Sequence, residues 1–357
     1  MVKYKAPLRE YEFILREVLG IEKELGSYPE YSEATWDMIE MISEQFAKIN
    51  EDYWLPSAKV GDEVGVKFED GNVIVPESMK EATNVVIEGG LTQLFGHQEY
   101  GGMEFPNVIN VLSDEMSCAA NMSLGIYLGL TKGAYHCIHK HGSQEIRQRY
   151  LPKFLSGEWF GTMCLTEAHC GTDLGLIRTS AKPDGDNYLV SGQKIFISCG
   201  EHDMGENIIH LVLARLPDAP KGVKGISLFL IPKFKVNDDG TIGERNNVNC
   251  VSIEEKMGVH GSATCVMSFE ESTGYLIGEL NDGLAAMFSM MNTERIAVGL
   301  QGLGQAEIAY QNALAYSKDR IQGRDLKGAR NPEDEADPLI VHPDVRRMLL
   351  RSKAIID

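Results

Sequence analysis

The spacing of hydrophobic positions changes twice along the chain. Up to about residue 160, apolar residues recur every three or four positions, which predicts amphipathic helices. From 161 to 275 the apolar runs are short and separated by Gly, Pro, Asn and Asp, a pattern typical of β-strands. Helical spacing returns over 284–322. The pattern predicts an α+β multidomain chain: an N-terminal α-helical domain over 1–160, a middle β-barrel or sandwich over 161–275, and part of a C-terminal helical bundle over 276–357.

Three segments fall outside this scheme. Residues 55–76 are rich in Gly and Val with several acids, which predicts a loop or a small hairpin, and residues 327–338 form a polar, acidic loop. No Gly, Asn or Pro terminates the helix that begins near Val341, and the sequence stops at Asp357. We therefore expect the sequence to be C-terminally incomplete.

The composition of the chain limits which kinds of partner the protein is expected to bind. The 357 residues carry a formal net charge of −18, which disfavours nucleic acid and anionic membranes as partners. The seven cysteines are odd in number, scattered and free of CxxC pairs, as expected for reduced thiols of a cytoplasmic protein. No signal peptide opens the chain and no apolar run is long enough to span a bilayer.

Three histidines within six residues, His136, His139 and His141, raise the question of a metal site. Three histidines this close in sequence seldom bind a metal without a carboxylate or a cysteine at matching spacing, and none accompanies these three. We therefore predict no metal site here.

The most informative stretch of the sequence is 160–200. Two short runs rich in β-branched and aromatic residues, 162–165 and 194–197, predict strands that end in the hydroxyls of Thr166 and Ser198. A Gly-containing loop joins them. Strand ends that present hydroxyls and free N–H groups beside small residues can hold a flat heterocycle with polar edges. The alternative is an ordinary hairpin whose Thr and Ser close the strands.

The order of residues in this stretch is more specific. TEAHCGTD at 166–173 and GQKIFIS at 192–198 resemble the flavin-binding signature of the acyl-CoA dehydrogenase family, T-E-P-x-A-G-S-D followed by G-x-K-x-[WFY]-I-[ST]. The departures are Ala168 for Pro, Cys170 for Ala, Thr172 for Ser and Phe196 for Trp, and each keeps size or function. The resemblance covers nearly the whole chain. It is strongest to a larger bacterial branch that includes 3-(methylthio)propanoyl-CoA dehydrogenases and carries a C-terminal extension.

The resemblance implies the chemistry. Family members remove a proton from Cα and a hydride from Cβ of an acyl-CoA thioester, and N5 of FAD accepts the hydride. They act as homodimers or homotetramers and pass electrons to an electron-transfer flavoprotein. Three alternatives stay open: an acyl-CoA oxidase, a flavin-holding relative that binds DNA, which the acidic charge disfavours, and a catalytically incomplete flavin-binding fragment.

The resemblance also implies site residues. Those on the cofactor side are Met163, Leu165, Thr166, Gly171, Thr172, Phe196, Ile197, Ser198 and Arg320. Those on the substrate side are Thr172, Asn292 and Arg295. Arg320 falls at the position of the family's arginine that contacts the FAD pyrophosphate of a neighbouring subunit. The turn that follows Arg320 is one residue shorter than the family's R-x-x-F-G. A solvated helix charge is the alternative for Arg320.

The catalytic base is left open by the sequence. Most family members place a Glu in a Y-E-G-[TS] context late in the C-terminal bundle, and this chain has no such motif. A minority place it one residue before the substrate-side arginine, where this chain has Glu294. Two alternatives stay open. Glu294 is the base, or it is an ordinary helix carboxylate and the base lies beyond Asp357. The arrangement found in most family members favours the second alternative.

Overall fold

The N-terminal region is helical apart from one hairpin. The structure, a computed structural model, describes residues 2–31 and 34–357. The helices of this region are α1 Leu8–Glu12, α2 Ile21–Leu25, α3 Trp36–Ile49, α4 Leu55–Glu63, α5 Glu77–Glu88, α6 Asn107–His141 and α7 Gln144–Leu155. The hairpin consists of β1 Lys67–Glu69 and β2 Asn72–Ile74.

The prediction for residues 55–76 was therefore right for the hairpin and wrong for its first half, which is α4. A π-helical segment, Asn50–Trp54, carries the chain from α3 into α4 without a break. Pro56, which has no backbone N–H to donate to the preceding turn, lies in the first turn of α4 directly after this segment. Trp54 is buried and donates from Nε1 to the Ala82 carbonyl at 3.0 Å, which anchors this junction.

The long helix α6 bends at Asn121, whose backbone leaves the helical region (φ −153°, ψ 89°). The Asn121 side chain compensates for the break. Its Oδ1 accepts from the Leu124 N–H at 3.3 Å, as an N-cap does, and its Nδ2 donates to Ser57 Oγ at 2.9 Å. The bend is thus a capped kink that divides α6 into two straight halves.

The middle region is a closed β-structure. Its strands are β3 Trp159–Cys164, β4 Ser180–Asp184, β5 Asn187–Ser198, β6 Asn207–Arg215, β7 Ile226–Pro232, β8 Phe234–Val236, β9 Ile242–Arg245, β10 Val248–Ile253 and β11 Thr264–Ile277. The main sheet has the order β10-β11-β5-β4-β6-β3, and β7 pairs with both β6 and β11, which closes a barrel. The predicted strands of this region are confirmed.

Alternate residues of the barrel strands face two different cores. On β6, Leu211 and Leu213 join a core shared with the helices, whereas Val212 and Ala214 join a second core inside the barrel. Because both faces are buried, β6 reads as a nearly continuous apolar run rather than as an alternating one.

The C-terminal region consists of α8 Gly283–Asp319 and α9 Pro343–Ile356. Helix α8 packs antiparallel along α6. At one end the Cys137 thiol donates to the Ala286 carbonyl at 3.4 Å, and near the other Gly304 lies so close to α6 that a Cβ would stand 2.7 Å from the Glu115 carbonyl oxygen. Within the described ranges, no helix has both the length and the apolar character needed to cross a membrane.

Candidate active site

The ends of β3 and β5 lie side by side, as the stretch 160–200 predicts. The Ile195 N–H donates to the Thr166 carbonyl at 2.9 Å, and Lys194 Nζ donates to the Leu165 carbonyl at 2.8 Å. Ser198 ends β5, and its side chain is half-buried, like those of Leu165 and Thr166. The two hydroxyl-bearing strand ends therefore meet at one edge of the barrel.

A buried ion pair fixes these strand ends. Lys194 Nζ lies 2.9 Å from Glu167 Oε1, and the two side chains are 0% and 5% exposed. Glu167 also accepts from the Thr179 hydroxyl at 2.6 Å and from the Arg178 N–H at 2.7 Å. Burial alone would raise the pKa of Glu167, but the Lys194 ammonium and these donors lower it below its ordinary value. Burial lowers the pKa of Lys194 despite the carboxylate beside it.

Phe196 is turned outward by a β-bulge. Ile197 pairs with Cys265 and Lys194 with Met267, so two residues of β5 lie opposite one residue of β11. Phe196 takes the left-handed conformation (φ +58°), and its side chain is 59% exposed. Such strain in a large aromatic residue is typical of functional sites. The neighbouring Ile197 side chain is buried in the barrel core, so only its backbone faces the site.

The loop after β3 presents Gly171 and Thr172 to solvent. A Cβ on Gly171 would touch the Thr166 methyl at 3.3 Å, so this glycine packs on the strand end. Thr172 is exposed, and Asp173 Oδ1 accepts from the Gly175 N–H at 3.1 Å, which shapes the turn that follows.

One group of potential metal ligands occurs among the described residues, and it lies in this loop. Ligand atoms of Glu167, His169 and Cys170 are within 4.8 Å of one another. Glu167 already accepts from Lys194, Thr179 and Arg178, and His169 Nε2 lies 2.9 Å from the Leu176 carbonyl oxygen. Burial raises the pKa of the Cys170 thiol. These side chains are thus committed to the loop's own structure.

The three histidines of α6 do not converge either. His139 stacks on His97 with ring centroids 3.6 Å apart, and His141 Nε2 lies 2.7 Å from Ser289 Oγ. Burial, reinforced by the positive charge of Lys132, lowers the pKa of His136 to about 4.

A cavity of about 310 Å³ extends from the strand ends into the helical region. Met163 and Ser198 line it on the barrel side and Glu294 on the α8 side. Its far wall is mostly apolar and aromatic: Phe46, Trp54, Val86, Leu91, Phe95, Leu130, Phe154, Trp159 and Phe160. The volume is at the low end of small-molecule sites, which span roughly 300–1,000 Å³.

Glu294 lies at the centre of this arrangement. It lines the cavity and also an outer cleft of about 900 Å³ that opens to solvent. Its Oε1 is buried and has no hydrogen-bond partner among residues 2–31 and 34–357. The pKa of Glu294 is raised to about 7, mainly by burial; the Lys132 ammonium lowers it and Asp114 raises it. A carboxyl that titrates near neutrality and has a buried oxygen is suited to accept a proton.

Gly133 makes room for this carboxyl. A Cβ on Gly133 would stand 2.6 Å from Glu294 Oε1 and 3.0 Å from Met290 Cγ. Any larger residue at position 133 would therefore displace the Glu294 carboxyl from its place between α6 and α8.

Sequence reasoning missed an ion pair between Lys132 and Asp114 on the two halves of α6. Both residues line the cavity and the outer cleft, as Glu294 does. The available signal was a lysine in a helical stretch that is otherwise small and apolar, 122–138.

Two of the three predicted substrate-side residues, Asn292 and Arg295, lie together. Arg295 donates from Nη1 to Asn292 Oδ1 at 2.7 Å, and its guanidinium stands 5.2 Å from the centre of the Phe288 ring. Asn292 lines the outer cleft, and Arg295 is exposed beside it. The pair thus lies on the solvent side of Glu294.

Arg320 is far from the other predicted residues. It is exposed directly after α8, twenty-six positions beyond Glu294, which is about 39 Å along a helix. Within one chain it does not join the site at Glu294. It begins a loop held by Asp337, which accepts from the backbone N–H groups of Asp325, Arg330 and Asn331.

Comparison with known proteins identifies the protein family. The family model described as acyl-CoA dehydrogenase, N-terminal domain, matches residues 40–158, and the one described as acyl-CoA dehydrogenase, middle domain, matches residues 162–272. The chain belongs to the acyl-CoA dehydrogenase family. The prediction of family and fold made from the sequence is confirmed.

Individual relatives extend the match. The chain is 43% identical to 3-methylmercaptopropionyl-CoA dehydrogenase of Ruegeria pomeroyi over 99% of its length and 60% of that protein's. It is 40% identical to a butyryl-CoA dehydrogenase of Syntrophomonas wolfei, with the same coverage. An acyl-CoA dehydrogenase of Bacillus anthracis complexed with FAD has the same fold, with a TM-score of 0.71 at 21% identity over 89% of this chain and 48% of that one. The chain spans about 60% of the length of the first two relatives.

Proposed function

We propose that this protein catalyses the FAD-dependent α,β-dehydrogenation of a short acyl-CoA thioester, giving the 2-enoyl-CoA. The proposal is supported by family membership and by relatives named for the same reaction class. The structural observation that carries it is the buried Oε1 of Glu294, which has no hydrogen-bond partner among the described residues and lies in a cavity that reaches the strand ends of β3 and β5.

The residues at the strand ends fit a flavin. Thr166 and Ser198 present hydroxyls at adjacent strand ends, Met163 and Ser198 line the cavity, and Phe196 is held outward by the bulge. The exposed Thr172 and the bare Gly171 leave room beside them. We assign Met163, Leu165, Thr166, Gly171, Thr172, Phe196, Ser198 and the backbone of Ile197 to FAD. When bound, FAD supplies the acceptor for the hydride that leaves Cβ.

Glu294 is proposed as the base that takes the Cα proton. The proton moves to Oε1, which has no competing donor among the described residues. Because burial raises the pKa of Glu294 to about 7, the carboxylate form that can accept a proton is populated above this pH. The structure thus favours the minority arrangement of the family over a base beyond Asp357.

The outer cleft is proposed to admit the CoA portion. Asn292 and Arg295 lie on its solvent side, and Thr172 is exposed at the loop after β3. These polar groups can contact the amide and phosphate groups that CoA carries.

The assembly and the electron acceptor are also proposals. Arg320 lies about 39 Å along α8 from Glu294, which fits a contact with the FAD of another subunit. This supports a homodimer or homotetramer. The family resemblance supports a cytoplasmic protein and an electron-transfer flavoprotein as acceptor.

An anaerobic absorption experiment tests the proposed reaction. The purified 357-residue protein is scanned in the visible range before and after addition of butanoyl-CoA. A flavin spectrum that bleaches on addition supports the proposal, whereas a protein that binds no flavin, or a flavin that does not bleach with any short acyl-CoA, contradicts it. Repeating the titration in air separates two outcomes, because stoichiometric hydrogen peroxide would identify an acyl-CoA oxidase.

A further inference from the structure

The cavity beside Glu294 is lined mainly by apolar and uncharged polar side chains, and among the described residues it has one charge pair. Lys132, which is 7% exposed, forms this ion pair with Asp114, whose side chain is 29% exposed. The Lys132 ammonium also lies 5.9 Å from the centre of the Phe95 ring. A buried charge pair among aromatic side chains costs desolvation energy, so it requires a reason beyond packing.

The Lys132–Asp114 pair lies next to Glu294, the proposed base. Lys132 directly precedes Gly133, whose missing Cβ leaves the space that Glu294 Oε1 occupies. Lys132, Asp114 and Glu294 line both the cavity and the outer cleft. An acyl group whose Cα lies at Glu294 therefore brings its distal atoms to this pair within a few bonds, whichever of the two spaces the tail enters.

The pair also has unused hydrogen-bonding capacity. An ammonium has three N–H donors, and in the described part of the chain the one hydrogen bond of Lys132 Nζ goes to Asp114 Oδ2. An alkyl tail would displace water from the remaining N–H donors without offering them a hydrogen-bond acceptor. A tail with an acceptor atom would satisfy one of them.

The negative charges around Lys132 determine whether a charged or a neutral acceptor on the substrate tail is favoured. Asp114 and Glu294 are both acidic and both close to Lys132, and the effect of Asp114 on Glu294 is to disfavour its ionised form. A carboxylate tail would add a third negative group to one ammonium. A neutral acceptor meets the free donors without this repulsion.

We propose that the Lys132–Asp114 pair is a specificity determinant that selects short acyl groups carrying a neutral hydrogen-bond acceptor near the distal end. This inference rests on the proposed function and names its substrate class. Sites built to bond a polar group reject analogues that lack it far more strongly than apolar pockets reject an extra group.

Non-reacting CoA thioethers test the inference by binding alone. S-pentyl-CoA and S-(3-methoxypropyl)-CoA have tails of equal length that differ by one methylene replaced by oxygen, and neither has the carbonyl that acidifies Cα. A third ligand, S-(3-carboxypropyl)-CoA, carries a carboxylate. Dissociation constants are measured by isothermal titration calorimetry with the flavin-loaded protein.

The methoxy ligand is expected to bind about fivefold to 150-fold more tightly than the pentyl ligand, the ratio that corresponds to one buried donor left without a partner. The carboxylate ligand is expected to bind more weakly than the methoxy ligand. In the double variant Lys132→Met/Asp114→Asn, which removes both charges together, the preference for the methoxy ligand should disappear.

Equal binding of the methoxy and pentyl ligands by the unmodified protein overturns the inference and leaves the proposed function standing; this comparison needs no variant to fold. A preference that survives in a folded double variant also overturns it. If none of the three CoA compounds binds, the proposed function fails, and the inference fails with it.

Discussion

The substitution Lys194→Met should destabilise the protein more than a Lys→Met substitution at any exposed position. The ammonium is fully buried and makes two hydrogen bonds, to the Leu165 carbonyl at 2.8 Å and to Glu167 Oε1 at 2.9 Å. The variant leaves the Glu167 carboxylate buried without its counter-charge. Breaking a buried pair in this way costs about 3–5 kcal/mol of unfolding free energy.

The structure places the expected loss near the low end, about 3 kcal/mol, because Glu167 keeps its donors from Thr179 and Arg178. The assay is urea unfolding at pH 7, in which the midpoint falls while the slope stays unchanged. The matched control is Lys182→Met, a lysine on the exposed part of β4 that is expected to change stability by no more than about 0.5 kcal/mol.

The double variant Lys194→Met/Glu167→Gln separates charge from shape. Because Gln carries no charge, it should recover part of the loss. A single variant within about 0.5 kcal/mol of the control would refute the view that this pair holds the two strand ends.

Three further predictions follow from single positions. Gly133→Ala should slow flavin reduction, because its methyl group would stand 2.6 Å from Glu294 Oε1, whereas Gly299→Ala, on the exposed side of α8 with open space around it, should not; equal rates in stopped-flow assays would contradict this. Phe196→Gly should relieve the left-handed strain (φ +58°) and keep the urea midpoint, but weaken flavin binding in an equilibrium titration. The pKa of Asp337 is lowered from 3.8 to about 2, so its stabilisation is present above pH 4 and lost as the pH falls through about 2. Asp337→Asn should remove this pH dependence from the proteolytic resistance of the loop 320–338.

The sequence predicted the strands and their meeting point because β-branched runs and turn residues are local signals. The family signature added what spacing alone leaves open, namely the expectation that Thr166 and Ser198 belong to one site. One local prediction was wrong. Residues 55–63 are helical because the preceding helix continues through the π-helical segment that ends at the buried Trp54.

The interior of the site could not be predicted, because it depends on contacts across long sequence distances. Lys132 pairs with Asp114 only because α6 bends at Asn121, and Glu294 meets Gly133 only because α8 packs antiparallel on α6. The bulge that exposes Phe196 and buries Ile197 depends on the register of β11. No local pattern records these pairings.

The central claim is that Glu294 removes the Cα proton, and one rate comparison tests it most directly. Flavin reduction by butanoyl-CoA is followed anaerobically in a stopped-flow instrument at pH 8, above the pKa of about 7 raised by burial, for the unmodified protein, Glu294→Gln and the control Glu307→Gln. Glu307 is a buried carboxyl on the same helix, bonded to Gln311 at 2.7 Å. We predict equal flavin content in all three and a rate about 10²–10⁴-fold lower in Glu294→Gln alone. Reduction of Glu294→Gln at the unmodified rate would contradict the account.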